Sequence, residues 1–145
     1  MHSPLSAGEA LVRAGVDVAA VRRQLPGIEP YAVPVRIASP GFRRLWARGI
    51  SAVAMPWGIY VTDEVAERMR CGAQPDRTGE LLVHELTHLD QYARLGAVRH
   101  LTQYLGDYVK GRLRRLSRWD AYRAIRLEVE ARDVAARFDK RRKPQ

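Results

Sequence analysis

Apolar positions along the chain change their period twice. Over residues 6–25 they recur at helical spacing, as Leu11, Ala14, Val18, Val21 and Leu25, behind a capping box formed by Ser6 and Glu9. This predicts one helix or a pair of short ones, closed by Pro26-Gly27. Over 33–37 the period becomes two, with Val33, Val35 and Ile37 alternating with Pro34 and Arg36. That is a strand, and Pro34 belongs at a sheet edge or a strand start. Ser39-Pro40 opens a short helix that Gly49 stops. Two strand-like runs at 50–54 and 58–62 flank Met55-Pro56-Trp57-Gly58 and read as a hairpin. Asp63 then caps a short helix over 63–69, which ends before Pro75. Beyond Asp76 the period is helical throughout, predicting helices at 78–95, 97–116 and 119–138. The expected class is α+β: an N-terminal helix, a small mostly antiparallel sheet, then a long central helix and C-terminal helices.

A chain of 145 residues, 46% of them hydrophobic, suits a single domain, expected over 1–138 with a basic, disordered tail at 139–145. The single Cys71 excludes an internal disulfide framework and points to a reducing compartment, so a cytoplasmic location is expected. The longest uncharged run, 49–62, is shorter than a bilayer span and contains Pro56, so no transmembrane segment is expected. Glu9 and Arg13 interrupt the first apolar stretch, which argues against a secretory signal. The balance of 25 basic against 16 acidic residues gives a net charge of +9. The basic residues crowd between Lys110 and Arg118 and again between Lys140 and Lys143, so a weak polyanion contact is expected at either segment.

The chemistry concentrates in His84-Glu85-Leu86-Thr87-His88. Two imidazoles four residues apart lie on one helical face and can hold one metal ion, with the intervening Glu85 placed to take a proton from water. In the last helix Ala121, Ala124, Leu127, Ala131, Val134, Ala135 and Phe138 form an apolar stripe, and Glu128 falls inside it. A buried carboxylate needs a cation, which either a metal or an arginine would supply. Glu130 shares the opposite face with Arg126, Asp133 and Arg137 and is the second choice. The metzincin pattern fails, because Gln91 and Arg94 occupy its glycine and third-histidine positions.

The segment His84 to Gln91, with Leu127-Glu128-Val129-Glu130-Ala131 downstream, resembles the gluzincin metallopeptidases. It is most similar to the minigluzincins and related small bacterial domains of unknown function, over residues 57–135. The resemblance implies one zinc ion held by His84, His88 and Glu128, and a zinc-activated water that hydrolyses peptide bonds with Glu85 as general base. It also implies a peptide or protein substrate, and matches strand 58–62 to the edge strand before the active-site helix. Arg132 departs from the pattern, standing where many gluzincins carry Asp or Asn. Tyr122 and Tyr108, with His100 behind them, are candidate donors to a developing oxyanion, and Asp90 or Gln91 could orient a ligand from outside. The competing expectation is a basic nucleic-acid-binding or regulatory module whose zinc is structural.

Overall fold

The computed structural model describes residues 5–139 and 141. The first apolar stretch forms two short helices, α1 (Ala7–Arg13) and α2 (Val18–Gln24). The Ser6–Glu9 capping box starts α1, and Asp17 accepts from Ala19 N–H to start α2. After a 3-10 turn come β1 (Val35–Ile37), a one-turn α3 (Pro40–Arg43), β2 (Ala52–Met55) and β3 (Gly58–Val61). The rest is helical: α4 (Asp63–Cys71), α5 (Pro75–Leu95), α6 (Ala97–Leu113), α7 (Arg118–Arg123) and α8 (Arg126–Arg137). The cap of α4 is Thr62, one residue before the expected Asp63. The architecture is α+β, with α5 packed across the sheet and Leu82, Val83 and Leu86 fully buried between them.

The sheet corrects one expectation. Its order is β1-β3-β2, with β3 parallel to β1 and antiparallel to β2, so 58–62 forms the central strand and β2 lies at the edge. Ile59 and Val61 are buried, and each bonds toward β1: Ile59 N–H donates to Pro34 C=O, while Val61 C=O accepts from Ala38 N–H. Pro34 stands just before β1, with its C=O turned to the central strand. Thr62 N–H donates to Ser51 C=O, and antiparallel bonding alternates from there. Val53 therefore bonds to Tyr60, whereas the N–H and C=O groups of Ala52 and Ala54 point away from the sheet.

The expected helix over 119–138 is two helices. Ile125 adopts an extended conformation and is fully buried, while Ala124 of the expected stripe is exposed. Asp107 of α6 makes the break possible, since it accepts from the Arg126 N–H and grips the Arg126 guanidinium at 2.9 and 3.0 Å. A long-range carboxylate thus caps α8, and Glu128 comes to lie in that helix's first turn. Gly96, at φ 79°, makes the sharp connection from α5 to α6. No helix among the described residues is long and apolar enough to cross a membrane. Most of the basic tail lies outside the described residues, but Arg141 pairs with Asp139 and with Glu80 of α5.

Candidate metal centre

His84 and His88 face the same side of α5, one turn apart, and the first turn of α8 brings Glu128 against both. Glu128 Oε2 lies 3.0 Å from His84 Nε2, Glu128 Oε1 lies 3.2 Å from His88 Nε2, and the two Nε2 atoms are 3.3 Å apart. The two imidazole nitrogens and the Glu128 carboxylate therefore form a small triangle of donor groups, one donor atom from each lying within 4.8 Å of the others. Ligands at the usual zinc distances sit roughly 3.3 Å from one another in a tetrahedron, a separation close to those between these groups. Glu128 and His88 are buried and His84 is partly so. The cluster could hold a metal ion.

Neighbouring groups fix the orientation of the donors. Gln91 Nε2 donates to the Leu127 carbonyl at 2.9 Å, which leaves its Oε1 to accept from His88 Nδ1 at 2.9 Å and from His100 Nε2 at 3.3 Å. A proton held on His88 Nδ1 frees the Nε2 lone pair for the cluster. Tyr104 donates its hydroxyl to Glu128 Oε1 at 2.9 Å. Burial, together with the Glu128 charge, pushes the Tyr104 hydroxyl far above its ordinary range, so it stays protonated and remains a donor. Tyr122 is raised for the same two reasons. Burial and the neighbouring His88 pull His100 down to about 4, so it is neutral at pH 7. For His88 burial opposes the charged form, yet the bond to Glu128 and its charge raise the imidazole to about 9. Burial likewise opposes ionisation of Glu128, but its bonds to both histidines hold it well below the ordinary carboxylate range.

Glu85 is buried beside the cluster. Burial lifts its carboxyl above the ordinary range, while the two histidines and the Ala54 N–H, which faces it, counteract part of that rise. Ala54 C=O in turn accepts from the Tyr92 hydroxyl at 3.5 Å, so both outward groups of this β2 residue face the site.

The structure brings His84, Glu85, His88 and Glu128 to one place, with Gln91 and Tyr122 beside them. Glu130 is outside the cluster, half-exposed, paired with Arg94 and accepting from Gln91 Nε2 at 3.4 Å. Asp90 serves the fold, accepting from Gly27 N–H at 2.8 Å and pairing with Arg94. His100 stacks on Tyr92, bonds to Gln91 and lies edge-on to the His88 ring, with no bond to a donor atom of the cluster. Tyr108 lines neither side of the cleft. Arg132 reaches the carbonyl of Arg123, and its charge offsets part of the rise at Tyr122. Tyr104 was not anticipated from sequence. Its signal was the spacing of four from His100, which places both on the inner face of α6.

A cleft opens on either side of the triangle. One lobe, of about 370 Å³, lies between β2 and α6 and is walled by Trp46, Val53, Met55, Tyr92 and Leu101. The other, of about 300 Å³, lies toward the start of α5 and includes Arg68, Arg77, Glu80 and Trp119. Both lobes border Glu85 and Tyr122. The basic run from Lys110 to Arg118 borders neither lobe. Comparison of the chain with protein-family models, with curated proteins and with solved structures returns no match.

Proposed function

We propose that the chain is a zinc-dependent metallopeptidase of minimal size. The observation that carries this reading is the three-donor triangle with Glu85 buried at its side, open to a cleft along the edge of a β-strand. Two imidazoles and one carboxylate are the donor set of catalytic zinc in several hydrolases. Zinc held there would act as a Lewis acid toward a carbonyl and lower the pKa of water toward roughly 7.

The chain's own groups perform the remaining work. Glu85 takes the proton of the attacking water and delivers it to the leaving amine, a role that its raised pKa suits. Tyr122, which borders both lobes and stays protonated, is placed to donate to the oxyanion. Gln91 and Tyr104 hold His88 and Glu128 in register. Against a structural metal stands the count of ligands. Structural zinc takes four protein donors, and the cluster among the described residues offers three.

Peptide hydrolysis should vanish on chelation and return with stoichiometric zinc, measured by mass spectrometry on a peptide mixture. Hydrolysis that survives complete metal removal would overturn the proposal.

Substrate would pair with the edge of β2, using the outward groups of Ala52. Ala52→Pro removes an outward N–H and should keep the fold while weakening peptide cleavage about tenfold, the scale of one hydrogen bond. Val53→Pro removes an inward bond to Tyr60 and should lower stability instead. Thermal melts and peptide turnover of the two variants separate these outcomes.

A further inference from the structure

Buried polar side chains normally find partners, and the exceptions call for explanation. Among the described residues two buried side-chain polar atoms have none, Trp46 Nε1 and Arg68 Nε. They line the two lobes of the cleft, one on each side of the metal cluster. Both are donors, so what each lacks is an acceptor. Both atoms are closed off from solvent, so a ligand lying along the cleft would reach each once its side chain turns.

The two lobes ask for different acceptors. Around Trp46 the walls are apolar, formed by Val53, Met55 and Leu101. Around Arg68 they are cationic. Arg77 stands seven residues before His84 on α5, two turns away on the same face and thus about 10 Å from it along the axis. Neither Arg68 nor Arg77 has a carboxylate at ion-pair distance among the described residues, since Glu80 is taken by Arg141 at 2.6 Å. Arg68 holds only the neutral Gln74 Oε1, at 3.1 Å. Two guanidinium groups without counter-charges among the described residues, one of them partly buried, line this lobe, and such groups favour a carboxylate.

Resting on the metallopeptidase reading, we propose that the cleft binds an extended peptide antiparallel to β2, with a carboxylate held by Arg68 and Arg77. The direction follows from the placement of the lobes. The cationic lobe adjoins Ser51 and Ala52 at the start of β2, whereas Met55 at its end lines only the apolar lobe. A peptide whose C-terminal side reaches the arginines must therefore run opposite to β2. About 10 Å is three residues of extended chain, so the carboxylate belongs to a residue within about three positions after the scissile bond. It is either the terminal α-carboxylate or an acidic side chain. Before the scissile bond the apolar lobe takes a large apolar side chain, and the indole N–H of Trp46 donates to a main-chain carbonyl.

The test uses the zinc-loaded Glu85→Gln chain as a host that binds without turnover, and three acetylated hexapeptides with leucine at the third position. One ends in a free carboxylate, one in an amide, and one in an amide preceded by aspartate. The carboxylate peptide should bind about tenfold more tightly than the plain amide, as expected for a charge-assisted pair. Recovery of that gap by the aspartyl amide would identify a side-chain site, and its absence a terminal one. Arg77→Gln and Arg68→Gln should each erase the gap with zinc content unchanged, and Trp46→Phe should weaken all three peptides alike. Equal affinity for carboxylate and amide peptides, or no binding by any of them, overturns the carboxylate site. Cleavage by the wild-type chain is read separately. Hydrolysis without carboxylate preference removes the subsite and keeps the peptidase, while carboxylate-selective binding without hydrolysis keeps the subsite and removes the peptidase.

Discussion

Glu85→Gln should leave the metal in place and lower peptide hydrolysis by at least about a hundredfold, the scale on which a lost proton transfer is felt. The side chain is buried and of the same shape in both forms, and the amide oxygen can still accept from the Ala54 N–H that faces it. The metal donors are other atoms, so zinc content measured by atomic absorption should match wild type. Stability gives an independent check with a definite sign. Burial raises the folded pKa of Glu85 above its ordinary 4.5, so the ionised carboxylate disfavours the folded state once the pH exceeds that value. Metal-free Glu85→Gln should therefore be more stable than the metal-free wild-type chain at pH 7, and the gap should close as the pH falls below about 4.5. Equal hydrolysis by both proteins would remove Glu85 from the mechanism, whatever the stabilities.

Legibility from sequence followed the range of the interactions involved. His84, Glu85 and His88 lie within one turn of one helix, and helical periodicity alone places them together. Glu128 was legible for a different reason, since a carboxylate among buried alanines and leucines requires a cation. Glu128 does lie against the two histidines, although the expected helix that carries it is two helices. The break at Ile125 depends on Asp107, eighteen residues earlier on another helix, and no local propensity reports such a cap. The place of β3 was hidden similarly. Both hairpin strands carry apolar residues on alternate positions, and only the parallel pairing with β1, more than twenty residues before it, decides which of them is central. Gln91 was a candidate from its helix position. Its partner on the far side, the carbonyl of Leu127, is a backbone atom and leaves no mark in the sequence. The cationic lobe is of this hidden kind too, assembled from α4 and α5 by their packing.

Glu128→Gln should keep the fold and weaken zinc binding by more than about a hundredfold, beyond the loss expected from removing an outer-shell partner. An amide offers a ligand oxygen without charge, so no anionic ligand of the cluster would offset a dication in the buried site. Glu130→Gln, half-exposed and paired with Arg94, should bind zinc as wild type does. Full zinc content in the first variant with loss in the second would move the ligand role to Glu130. The metal-free proteins provide a second readout. His88 is raised from 6.5 to about 9 by its bond to Glu128, against the opposing effect of burial. A raised folded pKa contributes stability that is fully present below about pH 6.5 and is lost as the pH climbs through about 9. Glu128 is depressed below its ordinary 4.5, so its contribution is present above that value and is lost as the pH falls. Wild-type stability in chelator, followed by urea denaturation, should thus peak between about pH 4.5 and 6.5 and decline on both sides. In Glu128→Gln the decline toward pH 9 should flatten, because His88 no longer has a carboxylate to hold its proton. A decline equally steep in both proteins would show that His88 titrates without Glu128, and that the pair holding the triangle together is not the one the geometry displays.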